Sequence, residues 1–327
     1  MRGSMKRAVV TGAGGFIGSH LAEHLVRGGF DVRAFVHYHA SGTRGWLDGS
    51  DVASSIEFRH GDVRDHDSVR RALQGADVVF HLAALVGIPY SYETPQAYVR
   101  TNVDGALNVL EAAREHGAER VVLTSTSEVY GSAQYAPMDE AHPVRAQSPY
   151  AASKAAADQL ALSFHASFGV PVVIARPFNA YGPRQSDRAL IPTVIAQLLA
   201  GDRLRLGNLH PTRDFTFVDD VVRGFAAIAA ADALVGEAVH IGSGVERSVG
   251  EIVQLIARLM GKDAQIEAQD ERRRPVGSEV DRLLCDSSQL CAATGWVPEV
   301  DFESGLRRTI DWMDERRAHF RPHEYRT

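Results

Sequence analysis

The sequence predicts an α/β fold built on a doubly wound parallel sheet, with a smaller lobe formed by the C-terminal part of the chain. Short apolar strand patterns alternate with helical patterns through the first half, which is typical of strands paired in parallel through helical crossovers. A glycine-rich turn joins the first strand to the first helix. After residue 176 the alternation loosens, and glycine and proline punctuate the chain more often. We therefore divide the chain into residues 5–176 and 177–327, with segments that cross between the two parts.

The glycine-rich turn follows a short apolar strand at residues 6–11. In a dinucleotide-binding turn, the first glycine permits a tight turn, the second lets the backbone approach a pyrophosphate, and the third allows close helix packing. The strand before this turn and the helix after it distinguish it from an ordinary glycine turn. We expect residues 5–176 to be a Rossmann-type dinucleotide-binding domain whose turn residues Gly12, Gly15, Phe16, Ile17 and Gly18 hold NAD or NADP tightly.

The end of the second predicted strand, at residues 31–36, bears on the choice between these cofactors. An NAD site normally has an acid there, which holds the ribose 2′-hydroxyl. This chain has His37 at that point and Arg44 beyond it. The missing acid leaves room for a 2′-phosphate that Arg44 or His37 would meet. The alternative is a neutral pocket that holds NAD through other contacts.

Later segments of the first half are expected to complete the cofactor site. Asp62 is placed to touch an adenine edge, although it could equally cap the following turn. Small residues follow the fourth strand and would let the backbone lie against a ribose. A metal site is not expected, because His81 has no partner at ligand spacing. The additional cofactor candidates are Asp62, Val63, Leu82, Ala83, Ala84, Asn102, Thr124, Tyr150 and Lys154.

The stretch from residue 124 to residue 154 holds the candidate catalytic side chains. It opens with TSTSEVYG at the end of a buried strand and closes with SPYAASK at the start of an alanine-rich helix. Tyr150 and Lys154 lie four residues apart and therefore on one helical face. A lysine ammonium beside a phenol favours the phenolate and lowers the phenol pKa. Together with the strand-tip residues Thr126, Ser127 and Glu128 they form a candidate proton-transfer site; for Glu128 the alternative is a carboxylate that caps a turn.

The C-terminal part is expected to bind the substrate. Three adjacent arginines at residues 272–274 usually mark a solvated loop, but beside a nucleotide cleft they can clamp a diphosphate. With Arg213 they would make a second anion site, which suggests a nucleotide-activated substrate in addition to the dinucleotide. The loop at residues 86–92 lines a substrate cleft or is only loop packing. The substrate candidates are Tyr90, Asn179, Arg184, Arg213 and Arg274.

The bulk composition excludes several other classes of function. The chain has 327 residues, a net charge of −6 and a pI near 6.2, so nothing suggests nucleic-acid binding through a basic face. No apolar run approaches the length needed to span a bilayer, and residues 1–5 lack the apolar region of a signal peptide. Two cysteines without metal-site companions fit reduced thiols, so we expect a cytoplasmic protein.

The motifs TGAGGFIG, HLAA, SPYAASK, RPFNAYGPR and RDFTFVDDV resemble, in this order, those of the extended short-chain dehydrogenase/reductase family of nucleotide-sugar enzymes. The Thr126–Glu128 tip is similar to that of sugar-nucleotide 4,6-dehydratases. The stretches around residues 81–114 and 176–199 are most similar to the branch that acts on nucleotide-linked N-acetylglucosamine in legionaminic acid biosynthesis. The resemblance implies a 4,6-dehydratase with an internally recycled nicotinamide cofactor and a UDP-linked (N-acetyl)hexosamine as substrate.

The resemblance also implies a role for each catalytic candidate. Tyr150 would take the proton of the sugar 4-hydroxyl while hydride leaves carbon 4, and Lys154 would lower the phenol pKa and hold the nicotinamide ribose. Thr126 would position the 4-hydroxyl, and Glu128 would remove the hydrogen at carbon 5. Ser127 is a departure, because some 4,6-dehydratases have an aspartic acid there as general acid for the leaving hydroxyl.

This departure keeps other reactions open on the same fold. UDP-glucuronate decarboxylases also carry Thr-Ser-Glu, and their 4-keto acid loses carbon dioxide without an acid at carbon 6. A UDP-sugar or uronate 4-epimerase is a further alternative, and a non-enzymatic regulator that only holds the cofactor is the hypothesis of a different class. Apolar and alanine-rich faces on the helices at residues 95–117 and 150–168 predict a homodimer through a four-helix contact.

Overall fold

The computed structural model describes residues 6–269, 272 and 275–321. The strands in these residues are β1 (Arg7–Thr11), β2 (Asp31–His37), β3 (Ile56–Gly61), β4 (Val78–His81), β5 (Arg120–Thr124), β6 (Val172–Pro177), β7 (Asn179–Tyr181), β8 (Arg203–Leu206), β9 (Thr212–Phe217), β10 (Ala238–Ile241), β11 (Glu246–Ser248), β12 (Gln265–Ala268) and β13 (Arg282–Leu283). The α-helices are α1 (Phe16–Arg27), α2 (His66–Leu73), α3 (Ile88–Glu93), α4 (Pro95–Tyr98), α5 (Gly105–His116), α6 (Pro149–Phe168), α7 (Leu190–Ala200), α8 (Val218–Ala230), α9 (Val249–Leu259), α10 (Ser288–Thr294) and α11 (Phe302–Asp314).

The main sheet has seven strands in the order β10-β6-β5-β4-β1-β2-β3, and every neighbouring pair is parallel. Strands β2 and β3 extend the sheet on one side of β1, and β4, β5, β6 and β10 extend it on the other, so the strand order reverses beside β1. The sheet is therefore doubly wound, which confirms the predicted fold class. The central strands are buried along their whole length, as parallel strands covered by helices on both faces must be. The last strand, β10, comes from beyond residue 176, so the chain returns to the first sheet after leaving it.

Two apolar cores lie on the two faces of this sheet. Residues of α1 and α8, among them Leu21, Leu25 and Phe225, pack on one face, and the same core continues into α7 and α9. Residues of α2, α5 and α6 pack on the other, Val109 and Ala161 among them. Alternate side chains of each strand enter opposite cores because successive residues of a strand point to opposite faces.

The C-terminal part builds a second layer beside the carboxyl ends of the main strands. Strand β9 pairs with β7, β11 and β13, and β8 pairs with β12 in a separate two-stranded sheet. Helices α7, α9 and α11 pack around these strands. The register Asn179↔Phe215 sets the predicted substrate residue Asn179 next to the strand that carries Arg213.

The helix predicted over residues 95–117 is interrupted. The chain forms α4, then a π-helical segment at Val99–Asp104, then α5. The wider turn coincides with Asn102, whose side chain hydrogen-bonds the backbone N–H and C=O of Leu85. Such π-segments occur frequently at functional sites. The preceding loop also contains a short helix, α3, that the sequence pattern did not predict.

No helix in the described part of the chain is long and apolar enough to cross a membrane.

Candidate active site

The glycine-rich turn between β1 and α1 has the close backbone contacts that its spacing predicts. A Cβ atom on Gly12, whose φ is +69°, would lie 2.7 Å from the backbone nitrogen of Ala83, so the turn rests directly on the segment after β4. A Cβ atom on Gly18 would lie 2.2 Å from the carbonyl oxygen of Gly12. The backbone N–H groups of Leu82 and Ala83 are held by Thr11. The turn, the following helix and the HLAA segment therefore form one rigid unit.

This unit fits a dinucleotide. A Cβ atom on Gly15 would meet only the carbonyl oxygen of Gly12, at 3.3 Å, so the turn stays open above Gly15. Helix α1 begins there, with Phe16 and Ile17 as its first residues, and has neither a side-chain cap nor an acidic residue in its first turn. Its N-terminal N–H groups are therefore available to a pyrophosphate, and the helix dipole favours the negative charge.

The residues expected around the adenosine lie at the ends of β2 and β3. His37 and Arg44 are exposed, and the Arg44 guanidinium stacks over the Phe58 ring at 4.3 Å. Asp62 accepts hydrogen bonds from the backbone and side chain of Arg64, and these bonds hold its pKa below the usual range. The Asp62 carboxylate therefore stabilises the turn after β3, and its contact with an adenine edge stays a prediction.

A further segment over the turn was not predicted. The backbone N–H of Trp46 donates to the carbonyl oxygen of Gly14 at 3.0 Å, and Gly45 beside it adopts a φ of +64°. The Trp46 ring packs edge-to-face on Trp312 of α11 at 5.3 Å. The Arg44-Gly45-Trp46 triplet after β2 indicates a turn at this point. The sequence contains no pattern that would predict contact between Trp46 and a helix some 260 residues later.

Tyr150 lies at the start of α6, 8% exposed, with its phenol hydrogen-bonded by Thr126. Its ring packs edge-to-face on Tyr98 at 6.2 Å. Burial raises the phenol pKa well above its usual value; the Thr126 hydrogen bond lowers it, while the nearby negative charge of Glu128 raises it. The structure thus brings Thr126, Glu128 and Tyr150 together at one edge of the sheet, as the sequence predicts.

Lys154 follows one helical turn later and is buried, 4% exposed. Its ammonium donates to the carbonyl oxygen of Thr124 at the end of β5. Burial lowers the pKa of Lys154 to about 8, and the charge of Asp158 opposes that effect. The Thr124 hydroxyl beside it is buried and has no hydrogen-bond partner in the described chain. The role of Lys154 in lowering the phenol pKa stays a prediction, because the ammonium here is directed to the strand.

The strand tip is shaped by a single 3-10 turn at Ser127–Tyr130. Thr126 precedes this turn, and its hydroxyl oxygen accepts the Glu128 N–H at 3.2 Å. Ser127 is buried and Glu128 is partly buried. The Glu128 backbone is thus fixed while its carboxylate lies within electrostatic reach of the phenol of Tyr150.

Two residues brace the loop beside the phenol. Asn102 is buried, and its amide donates to Leu85 O and to the hydroxyl of Ser153 at 2.9 Å, so it links the loop after β4 to α6. Tyr98 donates from its hydroxyl to the carbonyl oxygen of Gly87. Asn102, predicted as a cofactor ligand, thus acts in the described contacts as a brace, and Tyr98 was not predicted at all. Tyr90 packs on the same cluster, at 6.2 Å from the Tyr98 ring.

The remaining substrate candidates are placed differently from one another. Arg213 is buried on β9, donates to Thr212 O and lies 3.9 Å from a Glu279 carboxylate oxygen. Arg184 has a φ of +71° and pairs with Glu23 and Ser19 of α1, so its guanidinium ties the loop after β7 to the cofactor helix. Arg274 lies outside the described residues.

Comparison with known proteins agrees with this geometry over nearly the whole chain. The model of the family "GDP-mannose 4,6 dehydratase" matches residues 9–309. A dTDP-glucose 4,6-dehydratase of Streptomyces griseus is 36% identical over 320 residues, which cover 96% of each chain. A UDP-N-acetyl-alpha-D-glucosaminuronate decarboxylase of Bacillus cytotoxicus is 36% identical over 323 residues, which cover 95% of this chain and 98% of the relative.

A solved structure of similar architecture is the dTDP-glucose 4,6-dehydratase of Streptomyces venezuelae, determined with NAD bound. It superposes with a TM-score of 0.88 at 34% identity, over 97% of this chain and 99% of the other. Family model, relatives and structure agree with the predicted motifs and with the cofactor turn. The chain is therefore an enzyme and belongs to the GDP-mannose 4,6-dehydratase-type family of extended short-chain dehydrogenases/reductases, which comprises nucleotide-sugar dehydratases, epimerases and decarboxylases.

Proposed function

We propose that the protein is a nucleotide-sugar 4,6-dehydratase that acts through a 4-keto intermediate and recycles its nicotinamide cofactor in every turnover. The observation that carries the proposal is the Glu128 carboxylate beside the Tyr150 phenol at the tip of β5. A 4-epimerase or a decarboxylase needs only the oxidation that Tyr150 assists. Dehydration gives Glu128 a direct task at two positions, because a hydrogen must leave carbon 5 and a hydroxyl must leave carbon 6.

The chain's residues supply the proton transfers of this reaction. Thr126 holds the sugar 4-hydroxyl, and Tyr150, as phenolate, removes its proton. A nicotinamide held by the glycine turn would supply the hydride acceptor for carbon 4 and the hydride donor for carbon 6. The 4-ketone acidifies the hydrogen at carbon 5, which Glu128 removes and passes to the leaving 6-hydroxyl, so that water departs. The sugar regains one proton at carbon 5, which balances the proton that Tyr150 removed.

Ser127 favours a relay through Glu128 rather than a separate acid. A serine hydroxyl is too weak an acid to protonate a leaving group, and Ser127 is buried at the tip. Glu128 must therefore act twice, first as base and then as acid, which its partial exposure next to a buried phenol allows. Decarboxylation is the second candidate, since it needs no acid at carbon 6 and one relative of equal identity is named as a decarboxylase.

For the substrate we propose a UDP-linked (N-acetyl)hexosamine, in line with the motifs of residues 81–114 and 176–199. The relatives include enzymes named for dTDP-glucose and for a UDP-linked N-acetylated sugar, so both nucleotides belong in the test. For the cofactor we propose that the site accepts NADP as well as NAD. Residues 36–44 contain no acid, while His37 and Arg44 are exposed at the end of β2.

We also propose a homodimer in which α5 and α6 of two copies pack together. Val99, in the π-helical segment before α5, and Phe168, the last residue of α6, are each 50% exposed, although both are apolar. A second copy would cover them. Sedimentation of a monomer at micromolar concentration would refute this assembly.

The reaction is tested by incubation with UDP- and dTDP-linked hexoses, N-acetylhexosamines and uronates, followed by product mass. Loss of water supports the dehydratase, loss of carbon dioxide the decarboxylase, and an isomer of unchanged mass the epimerase. Glu128→Gln provides the matched control. It should still reduce the cofactor in a single turnover but should release no dehydrated sugar, and dehydration at the wild-type rate would show that Glu128 is not the base.

A further inference from the structure

A buried carboxylate lies one helical turn beyond the catalytic lysine. Asp158 is 1% exposed on α6, four residues after Lys154 and eight after Tyr150, so all three share one face of the helix. It takes no part in the proton transfers proposed above. An ionised carboxylate at such depth is costly unless charged and polar partners offset its desolvation.

Its partners come from the two strands that α6 packs against. The Ser125 hydroxyl, on the strand tip between Thr124 and Thr126, donates to Asp158 Oδ2 at 2.8 Å. Arg176 of β6 donates to the same oxygen from Nη2 at 2.9 Å and from Nε at 3.2 Å. Three donors converge on one oxygen, as an ionised carboxylate would attract them, and the other oxygen, Oδ1, is buried without a hydrogen-bond partner in the described chain.

Asp158 therefore connects the two halves of the proton-transfer site. Through Ser125 it fixes the strand tip that carries Thr126 and Glu128, and through its place on α6 it fixes the helix that carries Tyr150 and Lys154. Burial raises the pKa of Asp158, while the charge of Arg176, the Ser125 hydrogen bond and the charge of Lys154 lower it. The ionised carboxylate in turn raises the pKa of Lys154 against burial.

We propose that Asp158 is a positioning residue of the active site, whose carboxylate holds the strand tip against α6 and keeps the buried Lys154 in its charged form. The proposal rests on the roles proposed above for Tyr150 and Lys154. Removal of this negative charge would leave Lys154 desolvated without a counter-charge, and the ammonium would lose its proton at a lower pH.

The surrounding titratable groups do not reverse this expected decrease in the pKa of Lys154. Arg176 stays charged, and its charge is present with or without Asp158. Burial lowers the pKa of His81 to about 3 and that of His240 to about 4, so both are neutral above pH 6. Burial raises the pKa of Tyr130 to about 12. The charge of Glu128 acts on the phenol of Tyr150.

The test measures Lys154 directly, because the chain has only three lysines, Lys6, Lys154 and Lys262. Lysine labelled with carbon-13 at Cε gives one NMR signal for each, and each signal titrates with its own ammonium. In Asp158→Asn the Lys154 titration should move about one to two pH units lower than in the wild type. Asp158→Glu, which keeps the charge, should restore most of that shift.

Asp220→Asn is the matched control. Asp220 is equally buried and pairs with Arg223 on α8, but it does not contribute to the charge around Lys154. It should lower the melting temperature and leave the Lys154 titration in place. An unchanged Lys154 titration in Asp158→Asn would overturn the proposal, whatever happens to stability.

Ser125→Ala covers the case in which Asp158→Asn does not fold. It removes one hydrogen bond to Asp158 and keeps the charge, so hydride transfer in a single turnover should slow about three- to tenfold with the Lys154 titration preserved. Unchanged hydride transfer would refute the positioning role. The NMR titration needs no substrate, so failure of every candidate sugar would disprove the proposed reaction without affecting this result.

Discussion

Replacement of Tyr150 by phenylalanine removes the proposed general base and almost nothing else. Tyr150 is 8% exposed, and its ring packs on Tyr98 and Ile88, contacts that phenylalanine retains. The lost oxygen has one hydrogen-bond partner in the site, the Thr126 hydroxyl. Thr126 is partly exposed, so its hydroxyl can turn to water or to bound sugar.

These facts separate the expected effect on rate from that on stability. A positioned general base contributes about 10²–10⁴-fold to a rate, or ~3–5 kcal/mol of barrier. Loss of one partly exposed hydrogen bond costs ~1 kcal/mol of unfolding free energy, which shifts the melting temperature by about 2–4 °C. Tyr150→Phe should therefore fold, retain its cofactor and lose hydride transfer and all later steps.

The assay is single-turnover reduction of the bound nicotinamide, followed by its absorbance, with product mass as the second reading. Tyr98→Phe is the control, because it also removes a hydroxyl, the one bonded to Gly87 O, from the same cluster. Its rate should stay within about tenfold of the wild type. If Tyr150→Phe kept more than about a tenth of the wild-type rate, another residue would be the base.

Three further outcomes are expected. Gly18→Ala would place a Cβ 2.2 Å from the Gly12 carbonyl oxygen and should yield protein without retained cofactor after gel filtration. Gly49→Ala is the control, because a Cβ there would meet nothing within 4 Å, and it should retain the cofactor. Equal retention by both variants would contradict the dinucleotide turn. Arg44→Ala should weaken NADP binding about tenfold, ~1.4 kcal/mol, and NAD binding hardly at all, as measured by calorimetry; equal loss for both would exclude a 2′-phosphate contact. Burial, aided by the Arg176 charge, lowers the pKa of His240 to about 4, below its unfolded value near 6.5. Between about pH 4 and pH 6.5, His240 therefore binds fewer protons in the folded state than in the unfolded state. The unfolding free energy should be fully retained above pH 6.5 and should fall toward pH 4 by up to ~3 kcal/mol. In urea titrations His240→Gln should show a flatter pH dependence, and an unaltered slope would assign the acid sensitivity elsewhere.

The sequence predicted the parts of this enzyme that depend on local pattern. The glycine turn follows from its spacing and from its place between a strand and a helix. A Cβ atom on Gly12 would lie 2.7 Å from the backbone nitrogen of Ala83, and one on Gly18 would lie 2.2 Å from the carbonyl oxygen of Gly12. Tyr150 and Lys154 share a helical face because four residues make about one turn. The parallel sheet follows from the alternation of strands and helices, since parallel strands need helical crossovers.

Contacts between residues that are distant in sequence could not be predicted from such patterns. The sequence predicted an unbroken helix around Asn102, whereas the structure shows a π-segment whose asparagine braces Leu85 and Ser153. It did not predict that Arg184 pairs with Glu23. The roles of Asn102 toward the cofactor and of Arg184 toward the substrate stay predictions. These contacts were not predictable because a polar side chain takes whichever partner folding brings near, and sequence spacing does not report that partner.

Alone, then, the sequence determined that a phenol, an amine and a carboxylate would meet near a dinucleotide turn, because strand ends and helix faces obey short-range periodicities. Only the tertiary structure decided how the charges of this site are balanced. It buries Lys154 against the end of β5 and sets Asp158 between Ser125 and Arg176. The cost of burying a charge depends on groups from several elements at once, and no single stretch of sequence contains them all.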